Sequence, residues 1–177
     1  YKLPYNQEKL IEDLKEINSN LGMLLVTGNA VDTSWLPHVK GVLQTWYLGS
    51  TAGAAIADIV SGDVNPSGKL PFSFPKKLTD NAAHSFGETS YPGVNHKQEY
   101  KEDILVGYRW HDTKNIDAAY PFGFGLSYTN FKLSDIESDK NEYSKNDEIL
   151  IRSKVANSGD SNGAEVVQVY IGKEKSK

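Results

Sequence analysis

Apolar residues recur along the chain with two different periods, and the switch between them divides it. From Asn6 to Leu21 they fall at Leu10, Ile11, Leu14, Ile17 and Leu21, the three-and-four spacing of one helical face. Pro4 ahead of the run suits a helix start, and Gly22 suits a stop. Met23 to Thr27 follows as a continuous apolar run closed by Gly28-Asn29, the pattern of a buried strand in an α/β sheet. Trp35 to Lys40 contains Pro37 and predicts a short helix begun there, while Gly41 to Tyr47 has the β-branched and aromatic content of a strand. After Gly49-Ser50, residues Thr51 to Val60 place Ala55, Ile56, Ile59 and Val60 on a helical face that Gly62 ends. Helix and strand alternating in this way predict a parallel sheet with helices on its faces.

From Asp63 to Phe131 the texture changes. Asn65-Pro66-Ser67-Gly68, Pro71, Pro75, Pro92-Gly93 and Pro121 punctuate short aromatic stretches, which predicts a long, loop-built wrap. Its aromatics, among them Phe72, Phe74, Phe86, Trp110 and Phe122, are expected to bury, because ordered loops of such length pack on something or serve function. Past Phe131 the period falls to two, with Ile149, Ile151 and Val155 in one run and Val167, Val169 and Ile171 in another, and the turn-rich Asn157 to Gly163 between them. That is antiparallel β and a second domain. Its roughly 45 residues supply about four strands, against the ~7 strands and ~100 residues of an immunoglobulin or fibronectin sandwich. The predicted class is therefore α/β: a partial three-layer α/β sandwich over residues 1–130, with the loop-built wrap from about 63, then a truncated antiparallel β-sandwich over residues 131–177.

Composition is that of a folding chain, with 38% hydrophobic and 24% charged residues and ten Tyr, six Phe and three Trp among 177. The net charge of −4 argues against a nucleic-acid partner, and the basic Lys173 to Lys177 end, broken by Glu174, reads as solvated surface. Cysteine is absent, which removes disulfides and thiolate metal sites. Runs such as Met23-Leu24-Leu25-Val26 are far shorter than the ~20 residues that cross a bilayer, so no membrane partner is expected. An opening at Tyr1 instead of Met suggests processing or truncation.

Candidate chemistry is sparse. Gly49-Ser50-Thr51-Ala52-Gly53 runs from a predicted strand into a helix, where backbone N–H groups could hold a phosphate in a flavodoxin-like reading. Neither G-x-G-x-x-G nor G-x-x-x-x-G-K-[ST] is present, however, and a steric reading has Gly49 making a tight turn and Gly53 admitting close helix–sheet approach. His38, His84, His96 and His111 show no i, i+4 pairing and no H-E-x-x-H, so they are expected as scattered surface groups and not a zinc site. No G-x-S-x-G elbow accompanies a serine. Glu88, Glu99, Glu102, Asp103 and Asp112 lie in the loop-built segment, and glycoside hydrolysis needs two facing carboxylates, ~5–5.5 Å apart for retention or ~6.5–9.5 Å for inversion. Sequence spacing does not bring any two of them together. The aromatic stretch from Phe86 to Phe131 admits another function, a non-catalytic carbohydrate-binding or interaction module that stacks sugars, which burial of Trp110 and its neighbours would defeat.

An ordered series of stretches resembles the C-terminal half of family 3 glycoside hydrolases. It comprises LPYNQEKLI at Leu3 to Ile11, LLVTGNAVDTSW at Leu24 to Trp35, and the long run from Leu43 to Pro75 that contains NPSGKLP. YKEDILVGYRWHDT at Tyr100 to Thr113 and YPFGFGLSYTNF at Tyr120 to Phe131 follow, and Val155 to Gly172 resembles that family's fibronectin III-like domain. The resemblance implies a β-glucosidase-like, retaining, exo-acting enzyme that releases β-linked glucose or a related sugar from non-reducing ends of glucosides or oligosaccharides. It implies an Asp nucleophile on a barrel domain and an acid/base Glu on the α/β sandwich. Both positions are expected outside these 177 residues, the Glu a short way before the segment matching Leu3-Pro4-Tyr5-Asn6-Gln7. No residue here is carried over as catalytic, cofactor-binding or metal-binding, no cofactor is expected, and the missing barrel is the expected partner. The chain departs from the family's W-Y-P-G-Q-x-x-G at Leu48 and Ser50, and has Ala30 where Pro is usual.

Overall fold

The computed structural model describes residues 1–172. Helix α1 (Gln7–Ile17) begins where the Gln7 N–H donates to the Pro4 carbonyl at 3.2 Å. It ends at Ile17, a turn short of the predicted Leu21. Asn18 turns extended there, and its side-chain oxygen accepts the Asn20 N–H at 2.9 Å, a local bond that competes with continued helix. On the expected apolar face only Ile11 is buried, while Leu10, Leu14 and Ile17 are exposed. Ile11 joins Leu3, Leu25 and Trp35 in a core flanked by Met23, Val31, Leu36 and Val39.

Strands β1 (Gly22–Leu25) and β2 (Gly41–Gln44) pair in parallel, Gly22 opposite Gly41 and Leu25 opposite Gln44, as the alternation of helix and strand predicts. The run expected to be buried throughout is covered on one side: Leu25 enters the core while Leu24, pointing the other way along the pleat, is exposed. The predicted short helix at Pro37 is a 3-10 turn, Leu36–His38. A second such turn, Gly49–Thr51, leads into α2 (Ala52–Ser61), which stops at Gly62 with φ 88°. The half-buried stripe of α2 is Ala52, Ile56 and Ile59, so Ala55 and Val60, expected on that face, stand in solvent.

The chain packs as two units, Tyr1–Ile56 with Lys69–Phe124, and Ala57–Gly68 with the residues from Gly125 on. In the first, β3 (Phe74–Pro75) pairs antiparallel with β4 (Ala118–Tyr120). Leu70 extends that contact, its N–H donating to the Phe124 carbonyl and its own carbonyl accepting the Gly123 N–H, each at 2.8 Å. The PFSFP and YPFGF stretches thus lie side by side. Tyr1 donates its hydroxyl to the Pro75 carbonyl at 2.7 Å, and burial together with the nearby Asp32 and Asp80 carboxylates raises its pKa. The wrap is less loop-built than expected, since it carries helices α3 (Ala82–Ser85) and α4 (Tyr108–Lys114). Gly107 at φ 61° and left-handed Asn115 bound α4, residues suited to positive φ.

In the second unit β5 (Phe131–Ser138) and β6 (Ile151–Asn157) form an antiparallel ribbon with Phe131 opposite Asn157 and Ser138 opposite Ile151. The ladder slips between Ser134 and Glu137, where Asp135 takes φ 53°. Every residue of β6 is exposed. Polar pins hold the ribbon: the Thr129 hydroxyl donates to the Asn157 side-chain oxygen at 2.7 Å, and the Asp139 carboxylate accepts from the Tyr143 hydroxyl at 2.6 Å and the Leu150 N–H at 3.1 Å. Asn65 contributes most. Its side-chain oxygen accepts from the Ser127 hydroxyl (3.0 Å) and the Tyr128 N–H (2.8 Å), and its amide nitrogen donates to the Asn162 carbonyl (2.9 Å). Val167, Val169 and Ile171, expected in a strand, lie outside any ladder among the described residues. Alternation makes a segment competent to pair, but a strand exists only where a neighbour takes its N–H and C=O groups. The expected Lys173 to Lys177 surface tail lies outside the described residues.

Candidate functional site

Groups able to do chemistry lie mainly in the first unit, and the structure accounts for them one at a time. The segment around Glu88 and Glu99 is a built hairpin that sequence reasoning missed. Val94 and Lys97 exchange N–H···O bonds of 2.9 and 3.0 Å across Asn95 and His96, whose φ angles of 52° and 60° make the tight turn whose twist suits two strands. Gly93, at φ 101°, would place a Cβ 2.6 Å from the Lys97 carbonyl oxygen, so the turn admits glycine only. Ser90, buried at the hairpin's base, donates its hydroxyl to the Glu99 carbonyl at 2.7 Å. The sequence signal was Pro92-Gly93 followed by Asn95.

On this frame the Glu99 carboxylate pairs with Lys101 at 3.0 Å, and Lys101 also donates to the Thr89 hydroxyl at 2.7 Å. Exposed pairs of that kind are worth ~0–1 kcal/mol. Glu88 is exposed and caps the turn through its carbonyl, which accepts the Gly93 N–H at 2.8 Å. Asp103, at φ 57°, and Asp112, on α4, are exposed as well. Glu102 differs, being half-buried with an enclosed Oε2 that has no hydrogen-bond partner among the described residues. A hollow beside α1 is lined by Lys9, Glu12, Asp13, Lys15, Glu16 and His38.

The histidines are not the scattered surface groups expected. Only His96, at the hairpin tip, is exposed. His111 is buried on α4 with Nδ1 3.0 Å from the Ile116 carbonyl, and since a carbonyl can only accept, Nδ1 carries the proton there. His38 and His84 are half-buried, each with an enclosed Nδ1 lacking a partner among the described residues, and the His84 ring sits 4.6 Å from that of Tyr91. Among the described residues no cluster of three His, Asp or Glu suits a metal ion.

At Gly49–Gly53 half of the steric reading needs correcting. Gly49 does turn the chain at φ 72°, but a Cβ on Gly53 would meet nothing within 4 Å, so close packing does not require glycine there. The tight approach is at Gly28, where a Cβ would lie 2.8 Å from the Tyr47 ring. The aromatics of the wrap pack on one another. Trp110, 6% exposed, meets Phe86 edge-on at 5.4 Å, donates its indole N–H to the Asp80 carbonyl at 3.1 Å, and carries the Lys114 ammonium 5.5 Å from its ring centre. Phe72 stacks on Phe74 at 5.8 Å and meets Trp46 in a T-shaped contact at 5.3 Å. A ring enclosed in this way offers no face to a sugar, which removes Trp110 from the stacking surface considered above. Tyr91, Tyr100 and Tyr128 remain exposed against expectation.

Residues 1–128 match the family described as the Glycosyl hydrolase family 3 C-terminal domain. The chain is 50% identical over 175 residues to Beta-glucosidase BoGH3A of Bacteroides ovatus, covering 99% of this chain and 23% of that protein. It is 44% identical over 174 residues to Thermostable beta-glucosidase B of Acetivibrio thermocellus, with 98% and 22% covered. The crystal structure of DesR, a β-glucosidase from Streptomyces venezuelae in complex with D-glucose, superposes with a TM-score of 0.82 at 41% identity, over 89% of this chain and 20% of that one. The chain spans less than a quarter of the length of these relatives.

Proposed function

Since the chain belongs to the glycosyl hydrolase family 3 C-terminal domain family, we propose that it is the scaffold part of a β-glucosidase. In that reading residues 1–130 are the α/β sandwich layer and residues 131–177 the start of a fibronectin III-like β-sandwich. The catalytic carboxylates and the barrel that binds the terminal sugar are supplied by chain outside these 177 residues, and the whole enzyme releases β-linked glucose with retention. The observation that carries this proposal is the match to β-glucosidases across 99% of this chain but 23% of the relative. The structure adds support: Glu99 is taken up by Lys101, and Trp110 is inside. None of the loop acids is offered as nucleophile or acid/base.

A graft tests it. The matching segment of the Bacteroides ovatus enzyme replaced by these 177 residues should still hydrolyse an aryl β-glucoside, whereas the 177-residue chain alone should not exceed buffer. Turnover by the chain alone would return the loop carboxylates to the chemistry. A chimera that melts cooperatively yet is inert would sink the scaffold assignment.

A further inference from the structure

We infer that Asn162 is a built-in site of spontaneous covalent modification, where attack of the Gly163 backbone nitrogen on the Asn162 side chain converts the amide to a mixture of aspartate and isoaspartate. Asn162-Gly163 is the one Asn-Gly step in the sequence. Asparagine is among the chemically labile residues, and a following glycine has no side chain to shield the attacking nitrogen. Both residues are exposed and lie outside helix and strand. The Gly163 N–H donates to no protein acceptor among the described residues.

Two other asparagines of the same unit are protected for identifiable reasons. Asn65 precedes Pro66, which has no N–H. Asn157 precedes Ser158, whose N–H is held by the Asn130 carbonyl at 2.8 Å, and its own side-chain amide is tied to the Ser161 carbonyl at 2.8 Å and to the Thr129 hydroxyl at 2.7 Å. In the reaction the deprotonated Gly163 nitrogen forms a bond to the Asn162 side-chain carbonyl carbon, and ammonia leaves with the proton. Water then opens the five-membered imide at either carbonyl. Opening at one gives aspartate, and opening at the other routes the backbone through the former side chain as isoaspartate.

The consequence falls on Asn65, whose amide nitrogen donates to the Asn162 carbonyl. In isoaspartate the Asn162 backbone carbonyl leaves the main chain as a free carboxylate while the main chain gains a methylene, and a Cβ on Gly163 would already lie 2.6 Å from the same Asn65 nitrogen. A longer backbone there displaces the seat that Asn65 occupies.

The test incubates the full chain in mildly alkaline buffer and maps tryptic peptides by mass. Asn157 and Asn162 share the peptide 155–173, so fragmentation compares them within one molecule. Acid should accumulate at Asn162 several-fold faster than at Asn157 and appear as two isomers, and Asn162→Gln should suppress it. Equal rates at the two positions, or no conversion at Asn162, overturn the inference. Aspartate without isoaspartate overturns it too, because direct hydrolysis gives a single product. Asn65→Ala, which frees the Asn162 carbonyl, should raise the rate, and an unchanged rate would show that the Asn65 contact and the reaction are not linked as inferred.

Discussion

The two paired-strand elements at opposite ends of the chain are held by different forces. The β1–β2 pair turns one face onto Ile11 and Trp35, and Leu25 and Trp35 are 6% and 3% exposed. The β5–β6 ribbon has no fully buried residue on either strand and is fastened by side-chain oxygens and amides at its ends. Two-stranded ribbons are marginal in water unless a third strand or a helix covers them. The contrast separates a region stable through burial from one whose shape is fixed by polar bonds and whose strands, among the described residues, pair only with each other.

The widest test of this contrast is truncation in the core. Trp35→Ala should cost about 3–5 kcal/mol in urea unfolding, whereas Val155→Ala on β6, half-exposed already, should cost under about 1 kcal/mol. Similar losses at both positions would show the ribbon to be packed after all. Next in size is Asn65→Ala, which removes three hydrogen bonds and should cost about 1–2 kcal/mol, read as faster amide exchange at Tyr128 with β1 and β2 unaffected. The smallest effect concerns acid. The hydroxyl of Tyr143 lowers the Asp139 pKa, with the Leu150 N–H adding to it. A carboxylate depressed by folding stabilises above its unfolded pKa and loses that contribution as pH falls through the folded value. The protection of the Leu150 amide, its exchange rate relative to the intrinsic rate at the same pH, should therefore fall on acidification in that window, and Asp139→Asn should flatten the dependence.

Much of the stretch from α1 to α2 was legible because local signals and packing agree. The period of Leu10 to Ile17 gave α1, the apolar run after Gly22 gave β1, and Gly62 ended α2 where expected. Which side of an element meets the core was harder to read, since Leu10, Leu14 and Leu24 are as apolar as Ile11 and Leu25 and only tertiary placement separates them. α4 was hidden by its length, seven residues being too few for a period to declare itself, although Gly107 and Asn115 marked its ends. The buried His111 depends on a carbonyl five residues on, and the alternation of Val167 to Ile171 carries no information about whether a partner strand is at hand. The five loop acids were read as individuals, and that is how Glu99 and Glu88 are found.

Asn65 turns one position into a lock with a single key. Its oxygen meets two donors and its nitrogen meets one acceptor, which settles the amide orientation without ambiguity. Aspartate would keep the donors and confront the Asn162 carbonyl with a second acceptor, leucine would answer none of the three, and glutamine would carry the right head on too long a neck. Of the twenty side chains one satisfies all three neighbours at this reach, so tolerance to exchange at residue 65 measures whether a protein sharing this segment also shares the geometry around it.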